Sequence, residues 1–172
     1  MKHLARLILV TILLGGLAAY AVELKSKPKL VDHAFEFGDY GENKGIEILN
    51  YQYGDSGMPF TRPSDRWLKE GHIQQSAGIG GGMPVAEFLY VKWRVLATGK
   101  VYEDRVDLRK RLPTNMQDKI VHFEVKGPQL YVYLIEGNDS AHLHARGAPD
   151  CQNRSYKDFK CTTLYPQHWT NF

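Results

Sequence analysis

The chain has 172 residues, 22 Lys and Arg against 19 Asp and Glu, 43% hydrophobic residues and two cysteines. This is the length of one ordinary domain, and a charge balance so near neutral gives no general pull toward nucleic acid. The one basic cluster, Arg105, Arg109, Lys110 and Arg111, is broken by Asp107 and reads as a solvated strand end.

Residues 1–21 read as an export signal. Lys2 and Arg6 precede an almost wholly apolar run from Leu7 to Leu17, and Ala19-Tyr20-Ala21 places small residues where a signal peptidase cuts, before Val22. The apolar stretch from Leu7 to Val22, 16 residues, is shorter than the roughly 20 that span a bilayer. Left uncleaved, it would be the chain's membrane anchor; cleaved, it releases the protein to the periplasm. The segment holds no cysteine to carry a lipid. Its removal leaves 20 basic against 19 acidic side chains, a net of +1.

Residues 22–34, with Lys25, Lys27, Pro28 and Lys29, read as a tether, and 35–172 as a single β-rich domain. The first predicted strand is Gly45–Tyr53, and a helical turn fits Ser64–Glu70. Gly78–Gly82 reads as a glycine-rich loop, or a bulged strand entry, running into Met83-Pro84. Glu87–Ala97 alternates Leu89, Val91, Trp93 and Val95 with Phe88, Tyr90, Lys92, Arg94 and Leu96, the period of a strand. Thr98-Gly99-Lys100 turns it into a hairpin with Val101–Leu108. In Lys119–Lys126, Val121, Phe123 and Val125 point inward and Ile120, His122 and Glu124 outward. After Gly127-Pro128, Gln129–Glu136 sets Leu130, Val132 and Leu134 against Tyr131, Tyr133 and Ile135. Strands joined by short turns predict a mostly β fold, an antiparallel sandwich or barrel-like sheet with little helix. In an exported chain Cys151 and Cys161 pair as a disulfide, stabilising the tail by about 2–3 kcal/mol.

The motifs that resemble catalytic sites lack their partners. Gly54-Asp55-Ser56-Gly57 matches a protease nucleophile motif, but the only histidine between the signal and Ser56 is His33, in the predicted tether. A turn after a strand accounts for the same residues. Gly78–Gly82 lacks the Gly-Lys-Ser/Thr of a phosphate loop. His142 and His144 would share one face of an extended segment, a metal spacing that needs a third ligand. No catalytic residue, cofactor or metal is expected. The aromatic set (Tyr51, Tyr53, Trp67, Tyr131, Tyr133, Tyr156, Tyr165, Trp169 and Phe172) divides between core and contact surface.

One ordered set of motifs goes further: Asn50-Tyr51, Gly80-Gly81-Gly82, Lys92-Trp93-Arg94, Tyr102-Glu103 and Leu130-Tyr131-Val132-Tyr133. Over roughly residues 46–136, it resembles a family of small exported proteins of Gram-negative bacteria, the immunity proteins of type VI secretion phospholipase effectors. Many members carry cysteines after the glycine-rich loop and a lipid-bearing cysteine in the signal; this chain has Met83-Pro84 and no such cysteine. The resemblance implies a non-enzymatic periplasmic protein that binds and blocks a cognate phospholipase toxin. On that reading Gly80, Gly81, Gly82 and Met83 would insert into the toxin. Lys92 and Arg94 would steer or pair with its acidic groups, and Tyr131 and Tyr133 would anchor it. Three alternatives stay open: a glycan- or lipid-binding module of the cell envelope using the aromatic face, a metal-assisted hydrolase built on His142 and His144, and a purely structural envelope protein.

Overall fold

The computed structural model describes residues 28–38, 43–137 and 159–166. In chain order the described elements are β1 (Leu30–Phe37), β2 (Ile46–Tyr53), α1 (Asp65–Glu70), β3 (Ala77–Pro84), β4 (Phe88–Val95), β5 (Val101–Asp107), β6 (Lys119–Lys126), β7 (Gln129–Gly137) and β8 (Phe159–Tyr165). They make two sheets, a five-stranded one in the order β3-β1-β6-β7-β8 and a three-stranded one in the order β2-β4-β5. The fold is mostly β, and neither sheet closes into a barrel.

All five strands read from alternation are present, with ends within two residues of those predicted. The helical turn is also present. Ser64 caps it, its hydroxyl accepting from the Trp67 N–H at 3.2 Å, and Gly71 ends it in the left-handed conformation.

Three strands lie outside the predicted set. β1 takes in residues 30–34, which the sequence assigns to the tether; the lysines and proline before it mask the alternation of His33, Phe35 and Phe37. β3 replaces the predicted glycine-rich loop. Glycine is disfavoured in strands, but backbone pairing with β1 runs unbroken from Leu30↔Pro84 to Phe37↔Ala77 and needs no side chains. β8 pairs with β7 through Ile135↔Cys161 and its neighbours. The expected all-antiparallel arrangement has one exception: β1 and β6 run parallel, with the whole β2–β5 segment as their long connection.

β1 also supplies the middle of the core. Phe35 stacks on Tyr53 of the opposite sheet at 4.5 Å, and Phe37 stacks on Phe123 at 4.4 Å. Around them pack Ile48, Tyr51, Leu89, Val91, Trp93, Val121, Val125, Leu130, Val132 and Leu134, all buried. Trp93 spans the gap, its indole N–H donating to the Gly127 carbonyl at 2.9 Å. In β2 a bulge falls between Ile48 and Asn50. Ile48 faces the core before it, and Tyr51 and Tyr53 face the core after it, which unbroken alternation would not allow.

The second face of the five-stranded sheet overturns an expectation. Ile120, His122 and Glu124 on β6, and Tyr133 and Ile135 on β7, point away from the main core as predicted, but all five are buried. Ile120 and Ile135 form a small apolar cluster of their own, with Ala34 and Cys161 packed against it.

Candidate functional site

Of the residues expected to contact a partner, Lys92 and Arg94 lie on the outer face of the three-stranded sheet. Cross-strand register sets Arg94 opposite Glu47 and Lys92 opposite Glu103. Arg94 Nη1 is 2.6 Å from the Glu47 carboxylate, and Lys92 Nζ is 3.3 Å from that of Glu103. Tyr90 donates its hydroxyl to the same Glu103, and these neighbours hold the Glu103 carboxyl below its usual range. Arg105 lies over the Phe88 ring at 3.3 Å, and Asp107 grips Arg109 through two side-chain hydrogen bonds. Those bonds bring Asp107 down to about 2. The result is a ladder of alternating charges, with Lys92 and Arg94 already matched within the protein.

Tyr131 and Tyr133 lie on the outer face of the other sheet, so the core separates them from Lys92 and Arg94. Their rings are parallel at 6.4 Å. Tyr131 is half-buried and Tyr133 fully buried, which removes Tyr133 as a contact residue in this conformation. Met83 is likewise buried in the main core.

Gly80, Gly81 and Gly82 occupy a third region, the edge strand β3. The expected residues therefore do not converge, and the four sheet edges become the informative comparison. The free edge of β2 is occupied: the Gln75 side chain accepts from the Ile48 N–H at 2.7 Å and donates to the Ile48 carbonyl at 3.0 Å, as a neighbouring strand would. Farther along, the Tyr53 N–H is taken by the Thr61 carbonyl at 2.8 Å. The edges of β5 and β8 are tied together. Tyr165 donates its hydroxyl to Asp104 at 2.6 Å, and Arg111 donates to the Leu164 carbonyl at 2.7 Å. Along β3 no charged side chain stands, and its only strand neighbour among the described residues is β1.

The fold does not require glycine at two of these positions. A Cβ on Gly80 would meet the Ala34 Cβ at 3.7 Å and one on Gly82 the Leu30 Cβ at 4.0 Å, ordinary contacts. Gly81, with φ of 119°, is different: a side chain there would be strained.

The remaining motifs have structural roles. Gly54 has φ of 63°, and a Cβ on it would press on Ala86 at 3.0 Å; Ser56 accepts from the Met58 N–H in the following turn. His33 is buried, with Nδ1 2.8 Å from the Val31 carbonyl and so acting as the donor. That leaves Nε2 to accept the Tyr53 hydroxyl at 3.1 Å. Burial lowers the His33 pKa. No group of three or more His, Cys, Asp or Glu placed to hold a metal occurs among the described residues. His142, His144 and the signal segment lie outside them, and no described helix is long and apolar enough to cross a membrane. Cys161, half-buried on β8, is not a free thiol, while its expected partner Cys151 lies outside the described residues.

Sequence reasoning missed Gln75, whose role is visible only once β2 has a free edge to guard, and β3 as an edge. Compared with known proteins, the chain matches no family model, no curated protein and no solved structure.

Proposed function

We propose that this chain is a periplasmic immunity protein, a non-catalytic β-sandwich that binds a cognate phospholipase toxin and inhibits it. The resemblance of its ordered motifs to that family supports the reading, with Cys151 and Cys161 paired in the mature protein. The observation that carries a binding role is β3, the one described edge with neither a side-chain guard nor a charge along it. Native sheets protect such edges, because a row of unpaired N–H and C=O groups recruits another strand. Glycine also costs a strand about 0.5–1 kcal/mol relative to alanine, yet Gly80 and Gly82 stand where the fold would accept a side chain.

An incoming extended segment of the toxin would pair its backbone with β3 and lay large side chains over the bare glycines, as aromatic residues do beside edge glycines elsewhere. Lys92 and Arg94, bound to their own carboxylates, act at most in long-range steering. The reading expects a phospholipase gene beside this chain's own, and the test is a titration of that enzyme. Activity falling linearly to zero near one equivalent of the purified protein is the expected result. Full activity at a tenfold excess overturns the reading.

A further inference from the structure

A second site stands apart from the β3 edge. The free edge of β2 and the segment that leaves α1 enclose an open cleft of about 460 Å³, lined by Glu47, Leu49, Trp67, His72, Gln74 and Gln75. That volume falls within the range of small-ligand sites. We infer that this cleft binds a neutral sugar, one pyranose ring laid on Trp67 with its hydroxyls read by Gln74 and Glu47.

The cleft is built before any ligand arrives. Gly71 turns the chain out of α1 in the left-handed conformation, and the His72 N–H closes on the Trp67 carbonyl at 3.0 Å. This fixes the wall that holds Trp67. Gln75 is locked by three hydrogen bonds, two to Ile48 and one to the Ile73 carbonyl at 2.9 Å. Gln74 is held from beneath: the hydroxyl of Tyr51, a core side chain, donates to its Oε1 at 3.1 Å. Burial pushes that hydroxyl up to about 12, so it remains a donor at any physiological pH. With Oε1 engaged, the NH₂ group of Gln74, a residue of the cleft lining, is the part of the amide left to donate to a ligand.

The chemistry selects the ligand class. Trp67 is half-buried, and its indole N–H makes no hydrogen bond among the described residues. An indole offers a flat apolar surface for the C–H face of a pyranose, together with a donor at its rim. Glu47 binds Arg94 through Oε2 and keeps Oε1 as an acceptor for a hydroxyl. That same ion pair argues against anions, because the Arg94 guanidinium is already matched and the cleft itself carries a carboxylate. Directional donors and acceptors around an aromatic plane, with no surplus positive charge, fit a neutral polyol.

The probes are glucose, galactose and N-acetylglucosamine at millimolar concentration, each added to the intact protein while the indole N–H signals are followed by NMR. One sugar should shift the Trp67 signal and leave that of Trp93, bonded to Gly127, in place. Trp67→Ala should weaken that sugar at least tenfold. Gln74→Glu, which keeps the size but exchanges a donor for an acceptor, should do the same without lowering the melting temperature. No shift from any of the three sugars overturns the inference. So does binding that survives both substitutions, or a Trp67 shift produced by inorganic phosphate and by no sugar. None of these outcomes touches toxin inhibition, which is read at β3 by a different assay.

Discussion

The two sheets share one core but differ on their outer faces. On the three-stranded sheet that face carries Glu47, Tyr90, Lys92, Arg94, Glu103 and Arg105, partly or fully exposed and largely paired across strands. On the five-stranded sheet the equivalent positions, Glu36, Ile120, His122, Glu124, Tyr133 and Ile135, are all buried. Alternation tells which residues share a face. It does not tell whether a second face meets water, and a carboxylate or an imidazole there does not settle the matter.

The largest effect that would break this contrast is at Ile120. Its side chain is 1% exposed, so Ile120→Ala should cost about 2–5 kcal/mol, as a core truncation does. Urea unfolding measures it. A loss below about 0.5 kcal/mol, the usual size for a surface position, would mean that the second face is solvated after all.

Acid should act next, on the core side of the same sheet. His33 is kept neutral by burial and by its role as acceptor for Tyr53, so its folded pKa lies below the unfolded value of 6.5. Its contribution to stability is complete above that value and is lost as pH falls through the lower folded pKa. The melting temperature should therefore drop on acidification below about pH 6. His33→Gln should flatten that limb, and an unchanged limb in the variant would assign it to other groups.

At the β3 edge the expected change in stability has the opposite sign. The double substitution Gly80→Thr, Gly82→Thr places β-favouring side chains where the fold has room, and should add up to about 1 kcal/mol. The same change should weaken inhibition of the phospholipase tenfold or more. A gain in melting temperature with inhibition intact would remove β3 as the contact edge.

The smallest effect belongs to the solvated ladder. Arg94→Ala should cost about 0.2–1 kcal/mol, as exposed ion pairs do, and the loss should shrink in high salt. A salt-independent cost above that range would show that this face is less open than its exposure suggests.

How much of this was legible in the sequence differs between the same regions. β4 and β5 could be read almost to the residue, because one apolar and one charged side make an unambiguous period of two. β6 and β7 could be placed and turned the right way, but the burial of their second face could not be read, since Ile120 and Ile135 were outnumbered there by His122, Glu124 and two tyrosines. β3 was legible at most as a bulged strand entry, because its pairing is carried by backbone alone. The candidate site was harder still. Glycines at an edge, an amide mimicking a strand, and the β2 wall that shares a cleft with Trp67 and Gln74 all depend on contacts between segments far apart in sequence. The register of β1 with β3 and of β2 with β4 sets those contacts, and no local pattern spells them.

The bulge at Leu49 gives β2 something like a reading frame. Substitutions along it alter single side chains, and losing Leu49 would only straighten the strand, but adding one residue after it would shift every position that follows. Tyr51 and Tyr53 would turn outward, with Asn50 and Gln52 carried into the space between the sheets. A gain of one residue in this stretch is therefore resisted as strictly as a change of core identity. Divergence in β2 should proceed by replacement, with gains of length confined to the turns on either side and a single loss accommodated at Leu49.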